Sequence, residues 1–420
     1  MTEKHDYIVS LLKSELTSAM GCTEPIAIAY AAAKARSVLG SFPERAEIAV
    51  SPNIIKNAKS VVVPHTGKMS GIESALIAGV VAGRAEEKLE VLSSVTDREI
   101  EEMWRVKETL PVALNLFEGG SCFEIVVKLY SGDESSEVHI TGRHTNLTEI
   151  KKNGEVVFSG GDLIEENAKR EPLTVREIVD FADSVDISEV KETLDRQIKY
   201  NMAIAEEGLK NDYGANIGKV YLSSYTNDIA IKAKAYAAAA SDARMNGCEM
   251  PVIINSGSGN QGITASVPVV VYAREMGTSD ELLYRALLVS NLVTVHVKRG
   301  IGTLSAYCGA VAAGAGAGCG VAYLHGGKYR EIAHTLVNAL AIDSGLICDG
   351  AKASCAAKIA TAVENGLLGF NLFKAGNQFF AGEGIVKKGV ENTIESISRL
   401  ANEGMKETDK EIINIMLSNT

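Results

Sequence analysis

Residues 300–327, GIGTLSAYCGAVAAGAGAGCGVAYLHGG, contain no Asp, Glu, Lys or Arg. A run of that length could cross a hydrocarbon layer of roughly 30 Å. Its centre, however, is Ala and Gly rather than Leu, Ile and Phe, so transfer into lipid would gain little. Gly314, Gly316, Gly318 and Gly320 would also each weaken an isolated helix by about 1 kcal/mol relative to Ala. The stretch reads as a buried central helix that its neighbours approach closely, and no membrane partner is expected.

The rest of the chain divides around that helix. Up to about residue 185 the periods are mixed. Helical spacing runs over 6–19, 25–38 and 70–87, and AEIAVS (46–51) and SVVVP (60–64) read as short strands. From 110 onward PVALNLF, CFEIVVKLY, SEVHITGRH and GEVVFSG alternate in period two with turn residues between them, the pattern of an antiparallel sheet. After a charged stretch around 160–176, strand signals nearly vanish. Helical patterns then occupy 188–208, 226–246, 279–295, 303–324, 329–345, 350–364 and 389–418. The expectation is an α+β chain: an α/β part with an antiparallel sheet over 1–185, and an all-helical domain over 186–420. The Gly and Ala content of the helical half suits a homodimer.

A net charge of −11 and no cluster of Lys and Arg exclude nucleic acid as an expected partner. The first residues, MTEKHDYIVSLLKSEL, lack the apolar run and small-residue cleavage site of a secretory leader, so a cytoplasmic location is expected.

Two loops look suited to small anions. SGSGNQG (256–262) matches GxGxxG through Gly257, Gly259 and Gly262, but no strand ending in an acidic residue follows about 20 residues on, as a dinucleotide fold requires. It reads instead as a nest of backbone N–H groups at a helix start. PHTGKMS (64–70) lacks the hydroxyl residue of a P-loop, and Thr66, Gly67 and Lys68 lead into the helix at 70 either as a surface turn or as a second anion loop.

Seven cysteines stand at 22, 122, 248, 308, 319, 348 and 355, an odd number with no CxxC pair, which argues against a disulfide framework and a zinc ribbon. In GCTEP, Cys22 precedes a helix with Pro25 in its first turn, where the helix dipole biases a thiol toward thiolate. Cys348, before Asp349 and Gly350, occupies the same kind of place. On a regular helix Cys348 and Cys355 would lie about 10.5 Å apart, and Cys308 and Cys319 about 16.5 Å. One small metal cluster therefore takes Cys22, one of Cys308 and Cys319, and one of Cys348 and Cys355. Three ligands leave a metal position open, a catalytic arrangement.

The motifs GCTEPIA, SPNIIKNAKSVVVPHTG, INSGSGNQG, RGIGTLSAYCGAVAAGAGAGCG and ICDGAKASC occur in that order. Through them nearly the whole chain resembles the iron–sulfur L-cysteine desulfidases, whose bacterial relatives are described as L-serine dehydratase alpha-subunit-like proteins. The resemblance implies a 4Fe-4S cluster on Cys22, Cys308 and Cys348, no pyridoxal phosphate, and a carbon–sulfur lyase that converts L-cysteine to pyruvate, ammonia and hydrogen sulfide. Cys319 and Cys355 are reserve ligands, and Cys122 and Cys248 are packing residues. Thr23 and Glu24 adjoin the first ligand. Thr66, Gly67, Ser256, Ser258, Asn260 and Gln261 would hold the substrate carboxylate, and Asn53 and Asn57 would orient its amino group unless they belong to a surface helix. His65, Lys56 and Lys298 are the candidates for the base that removes the Cα proton. The same lyase chemistry on L-serine, and a non-catalytic iron–sulfur or metal sensor, are the rival readings.

Overall fold

The computed structural model describes residues 2–117, 122–160, 173–226, 228–302 and 304–418. The first half opens with α1 (Thr2–Glu15), β1 (Ser18–Met20) and α2 (Thr23–Leu39), followed by β2 (Arg45–Val50), α3 (Pro52–Ala58), α4 (Ile72–Ala82) and α5 (Asp97–Thr109). Helix α2 starts where Pro25 needs no N–H partner and stops at Gly40, whose φ of +83° suits the left-handed cap. Strands β3 (Val112–Leu116), β4 (Glu124–Ser131), β5 (Glu134–Thr141), β6 (Leu147–Lys152) and β7 (Glu155–Ser159) join β2 in a six-stranded sheet of order β3-β2-β4-β5-β6-β7. Only β2 and β3 run parallel. Alternation along β2 buries Ala46, Ile48 and Val50, and the sheet lies against α2, where the Ser136 hydroxyl donates to the Ala35 carbonyl at 2.8 Å.

The second half contains α6 (Val175–Ser184), α7 (Lys191–Lys210), α8 (Ile217–Ser224), α9 (Ile229–Met245), β8 (Pro251–Ile253), α10 (Gly259–Met276), α11 (Asp280–Ile301), α12 (Gly309–Leu324), α13 (Tyr329–Ile342), α14 (Cys355–Lys374), α15 (Val390–Arg399) and α16 (Lys406–Ser418). The architecture is α+β, with a largely helical second part. That part includes one strand, β8, which pairs antiparallel with β1 from the first half. Among the described residues no helix is long and apolar enough to cross a membrane.

Several boundaries differ from the periodicity. SVVVP forms no strand: Pro64 lacks an N–H, and only an isolated bridge, Val62 to Ser70, closes the loop. Helix α14 begins at Cys355 rather than 350 because Gly350 stands at φ +97°. Residues 161–172 of the charged stretch lie outside the described residues. Helices α5, α6 and α8 and strands β1 and β6 come in addition to the elements expected from the sequence, and a π-helical turn at Leu400–Gly404 interrupts the last expected helix.

The charge-free run is a buried helix, α12, enclosed by α10, α11, α13 and α14. A Cβ on Gly314 would stand 2.2 Å from the Ala362 carbonyl oxygen, and one on Gly318 2.2 Å from that of Gly366. Backbone meets backbone there, so a methyl group has no room. Gly314→Ala is expected to lower stability by roughly 1–3 kcal/mol, read as a lower urea midpoint. Gly345→Ala, where a Cβ meets nothing within 4 Å, is expected to leave the midpoint unchanged. Equal midpoints for the two variants would contradict this packing.

Candidate active site

The contacts of α12 fix its direction relative to its neighbours. Gly314 meets Ala362 and Gly318 meets Gly366. Position advances by four in both helices, so α12 and α14 run parallel and start side by side. Gly309 meets Gln261 and Gly320 meets Val269, which makes α10 parallel to α12 as well. The starts of α10, α12 and α14, at Ser258, Cys308 and Cys355, line a cavity of about 110 Å³ together with Cys22, Thr23 and Glu24 from the start of α2. Helix N-termini present unpaired N–H groups and partial positive charge, so four of them at one cavity favour negative charge within it.

Backbone pairing sets two of the thiols together. Tyr307 bridges Ile347, with Cys308 N donating to Leu346 O at 2.9 Å and Cys348 N to Ala306 O at 2.7 Å. Cys308 and Cys348 are therefore diagonal neighbours on one face of this short ladder. A hydrogen bond from Cys308 lowers the pKa of the Cys348 thiol, helped against burial by the Lys56 charge, and the same bond together with burial raises that of Cys308. Cys22 behaves otherwise than its place at a helix start suggests. Burial, then the Glu24 carboxylate, push its thiol up, and Cys22 Sγ donates to Glu24 Oε2 at 3.2 Å. Burial alone would raise Glu24, but hydrogen bonding and charge from His144 and the bond from Cys22 hold it at about 2.

Cys355 also reaches this cavity. The spacing argument placed it and Cys348 on one regular helix, but residues 349–354 turn instead. Gly350 lies so close to Lys56 that a Cβ would stand 2.2 Å from its carbonyl oxygen, and the Asp349 carboxylate binds Lys352 and Lys358 across the turn. Cys319 is in the middle of α12, buried, with Sγ 3.6 Å from Ile332 O, and does not line the cavity. Cys248 is buried, whereas Cys122, expected to pack, is exposed, because it stands just before β4 rather than within it.

The SGSGNQG loop borders the cavity through Ser256, Gly257, Ser258, Asn260 and Gln261. Ser256 and Gly257 take φ of +50° and +77°, and Asn255 and Ser258 exchange backbone hydrogen bonds of 3.1 Å, the turn that a nest of N–H groups requires. A buried amide network holds it in place: Asn255 Nδ2 donates to Asn291 Oδ1 at 3.0 Å, and so does Gln197 Nε2 at 2.9 Å. Lys298 lines the cavity too, and burial lowers its pKa against the pull of Cys348, Cys308 and Cys122.

Other expected residues lie elsewhere. Thr66 spends its hydroxyl inside its own loop, donating to Val63 O at 2.7 Å and accepting from Met69 N at 3.1 Å, so Thr66 and Gly67 make no second anion loop at the cavity. His65 Nε2 lies 3.0 Å from Met20 Sδ and does not line the cavity. Lys56 is buried, with Nζ 2.5 Å from Asp409 of α16, so it reaches the cavity only through its charge. Asn53 and Asn57 are on a buried helix, α3, rather than a surface one. Asn57 lines the cavity, and Asn53 Nδ2 donates to Leu304 O at 3.4 Å in its wall.

Lys358, Arg244 and His144 are among the lining residues that escaped the sequence reading. Arg244 ends the Ala-rich helix α9 and donates through Nη1 to Asn260 Oδ1 at 3.1 Å; a buried charge in AAAASDARM was its only signal. His144 comes from the turn after β5, edge-on to Phe123 at 4.7 Å, with Nε2 3.7 Å from Glu24 Oε1. Its short polar turn, GRHTN, carries no signal of a site. His144, Ser256, Gly257 and Lys298 also border a neighbouring cavity of about 870 Å³.

The donor chemistry suits an iron–sulfur cluster, in which each thiolate binds a different iron. The thiols of Cys22, Cys308 and Cys348 can supply those ligands, with Cys355 adjacent, and Lys358 and Arg244 in the same wall offset the negative charge. Among the described residues, no three His, Cys, Asp or Glu are grouped to hold a single metal ion.

Comparison with known proteins agrees with a site of this kind. The sequence profile described as serine dehydratase alpha chain matches residues 86–414. The chain belongs to that family, and its function is lyase-like. A UPF0597 protein of Desulfitobacterium hafniense (strain Y51) is 55% identical over 413 residues, covering 98% of this chain and 96% of the relative. UPF0597 proteins of Lachnoclostridium phytofermentans and Treponema denticola are 49% and 45% identical, covering 98% and 99% of this chain and 99% and 98% of the relatives.

In metal-free protein at pH 7, iodoacetamide is expected to modify Cys348 well ahead of Cys22 and Cys319, since only the thiolate reacts. Peptide mass spectrometry reads the order, and Cys319 labelling as fast as Cys348 would contradict it.

Proposed function

We propose that this protein is an iron–sulfur lyase that splits L-cysteine into pyruvate, ammonia and hydrogen sulfide by β-elimination, without pyridoxal phosphate. The observation that carries this reading is the meeting of Cys22, Cys308 and Cys348 with the SGSGNQG loop and Lys298 around one small cavity. A 4Fe-4S cluster on those three thiolates would supply Lewis acidity toward the β-substituent of the substrate.

The chain supplies the remainder. The N–H groups of the loop and the hydroxyls of Ser256 and Ser258 receive the carboxylate at the start of α10, where the helix field favours it. Lys298, kept from easy protonation by burial, takes the Cα proton. The pair of electrons left on Cα forms the Cα–Cβ double bond as the C–S bond breaks, and sulfide departs with its electrons. The resulting aminoacrylate hydrolyses to pyruvate and ammonia. Lys298 is itself buried, which limits its contact with bulk water.

The family description favours a second reading, dehydration of L-serine through the same residues. Anaerobically reconstituted protein is expected to release sulfide and pyruvate in equal amounts from L-cysteine and little pyruvate from L-serine. Faster pyruvate release from L-serine would install the second reading. No product from either, with the full iron content, would overturn both. Lys298→Met is expected to lower kcat by roughly 10²–10⁴-fold at unchanged iron content, and an unchanged kcat would remove Lys298 as the base.

A further inference from the structure

Buried polar side-chain atoms almost always have hydrogen-bond partners, so those that do not call for a ligand or another explanation. Among the described residues, Arg244 Nε and Gln261 Oε1 are buried without one, and both residues line the 110 Å³ cavity. They are 4% and 6% exposed. They arrive from unrelated places: the end of α9 and the first turn of α10.

Their chemistry differs in a useful way. Arg244 Nε–H only donates, and Gln261 Oε1 only accepts. Both side chains are held. Arg244 Nη1 is bound to Asn260 Oδ1 at 3.1 Å, and its Nε lies 2.3 Å from where a Cβ on Gly259 would stand. The Gln261 amide packs over Gly309 in the same manner, 2.6–2.8 Å from the place of a missing Cβ. Glycine at both helix starts therefore makes room for these two groups. The spare donor belongs to a guanidinium and the spare acceptor to a neutral amide, which matches a carboxylate on one side and an ammonium on the other.

We propose that Arg244 Nε joins the N–H groups of the SGSGNQG loop in binding the α-carboxylate, and that Gln261 Oε1 binds the α-ammonium, of a free amino acid, so that the cavity selects the zwitterion. This rests on the lyase reading for the class of substrate but not for any step of turnover.

The test is isothermal titration of the full-length, cluster-loaded protein with three unreactive probes under anaerobic conditions. L-alanine carries both charged groups and no leaving group, propionate lacks the ammonium, and L-alaninamide lacks the carboxylate. L-alanine is expected to bind roughly ten- to a hundredfold more tightly than either of the others. Gln261→Met should bring L-alanine and propionate level, while Gln261→Glu, which keeps an acceptor, should preserve the preference. Propionate binding as tightly as L-alanine to the unmodified protein would overturn the assignment, as would no binding of L-alanine or an undiminished preference in Gln261→Met. Because L-alanine does not turn over, failure of the elimination chemistry leaves this readout intact, so the two failures are distinguishable.

Discussion

Four helices begin at one cavity, and the contact that makes this geometry possible is backbone against backbone. Gly314 and Gly318 allow α12 to lie flush along α14, and Gly320 allows it to approach α10 and α11. Helices α10, α12 and α14 are locked in parallel register by those contacts, with α11 antiparallel to them, so the thiols at the starts of α12 and α14 are carried to fixed places. A larger residue at any of the crossings would push the helices apart along their length and separate Cys308 from Cys355. The Ala and Gly content that makes the segment a poor membrane span is thus what brings the thiols and the anion loop together.

Concentrating helix N-termini, Lys358 and Arg244 at one point creates a positive interior that needs a negative occupant. Part of that demand is met by Glu24, held ionised at about 2, and by the lowered thiol of Cys348. Cys22 keeps its proton and hydrogen-bonds through it to Glu24. Cluster binding as proposed would require that proton to leave, and would be coupled to the charge on Glu24. The buried amide network under the SGSGNQG loop, which includes Asn255 and Asn291, keeps the loop in its strained turn whatever occupies the cavity.

Much of this was readable from the residues themselves. Period two gave most strands of the sheet, and period 3.6 gave most of the long helices. The start of α2 was marked by Pro25, and the turn at Ser256 and Gly257 by its glycines. What escaped was non-local. Val61 and Val63 read as a strand because they are β-branched, yet SVVVP has no partner strand and ends in Pro64. Cys355 was set aside because a seven-residue spacing was measured along a helix that Gly350 prevents. Thr66 had the chemistry of an anion ligand but spends its hydroxyl on Val63 and Met69. His144 and Arg244 reach the cavity from the sheet half and from the end of α9, and only tertiary packing brings them there.

The central claim is that the thiols of Cys22, Cys308 and Cys348 form one ligand set. Iron and acid-labile sulfide should be counted after anaerobic reconstitution of the unmodified protein and of single Cys→Ser variants at 22, 308, 348 and 319. The account predicts about four irons and four sulfides per chain in the unmodified protein and in Cys319→Ser, with loss of the cluster at each of the other three positions. A full complement of iron retained in Cys348→Ser would contradict it.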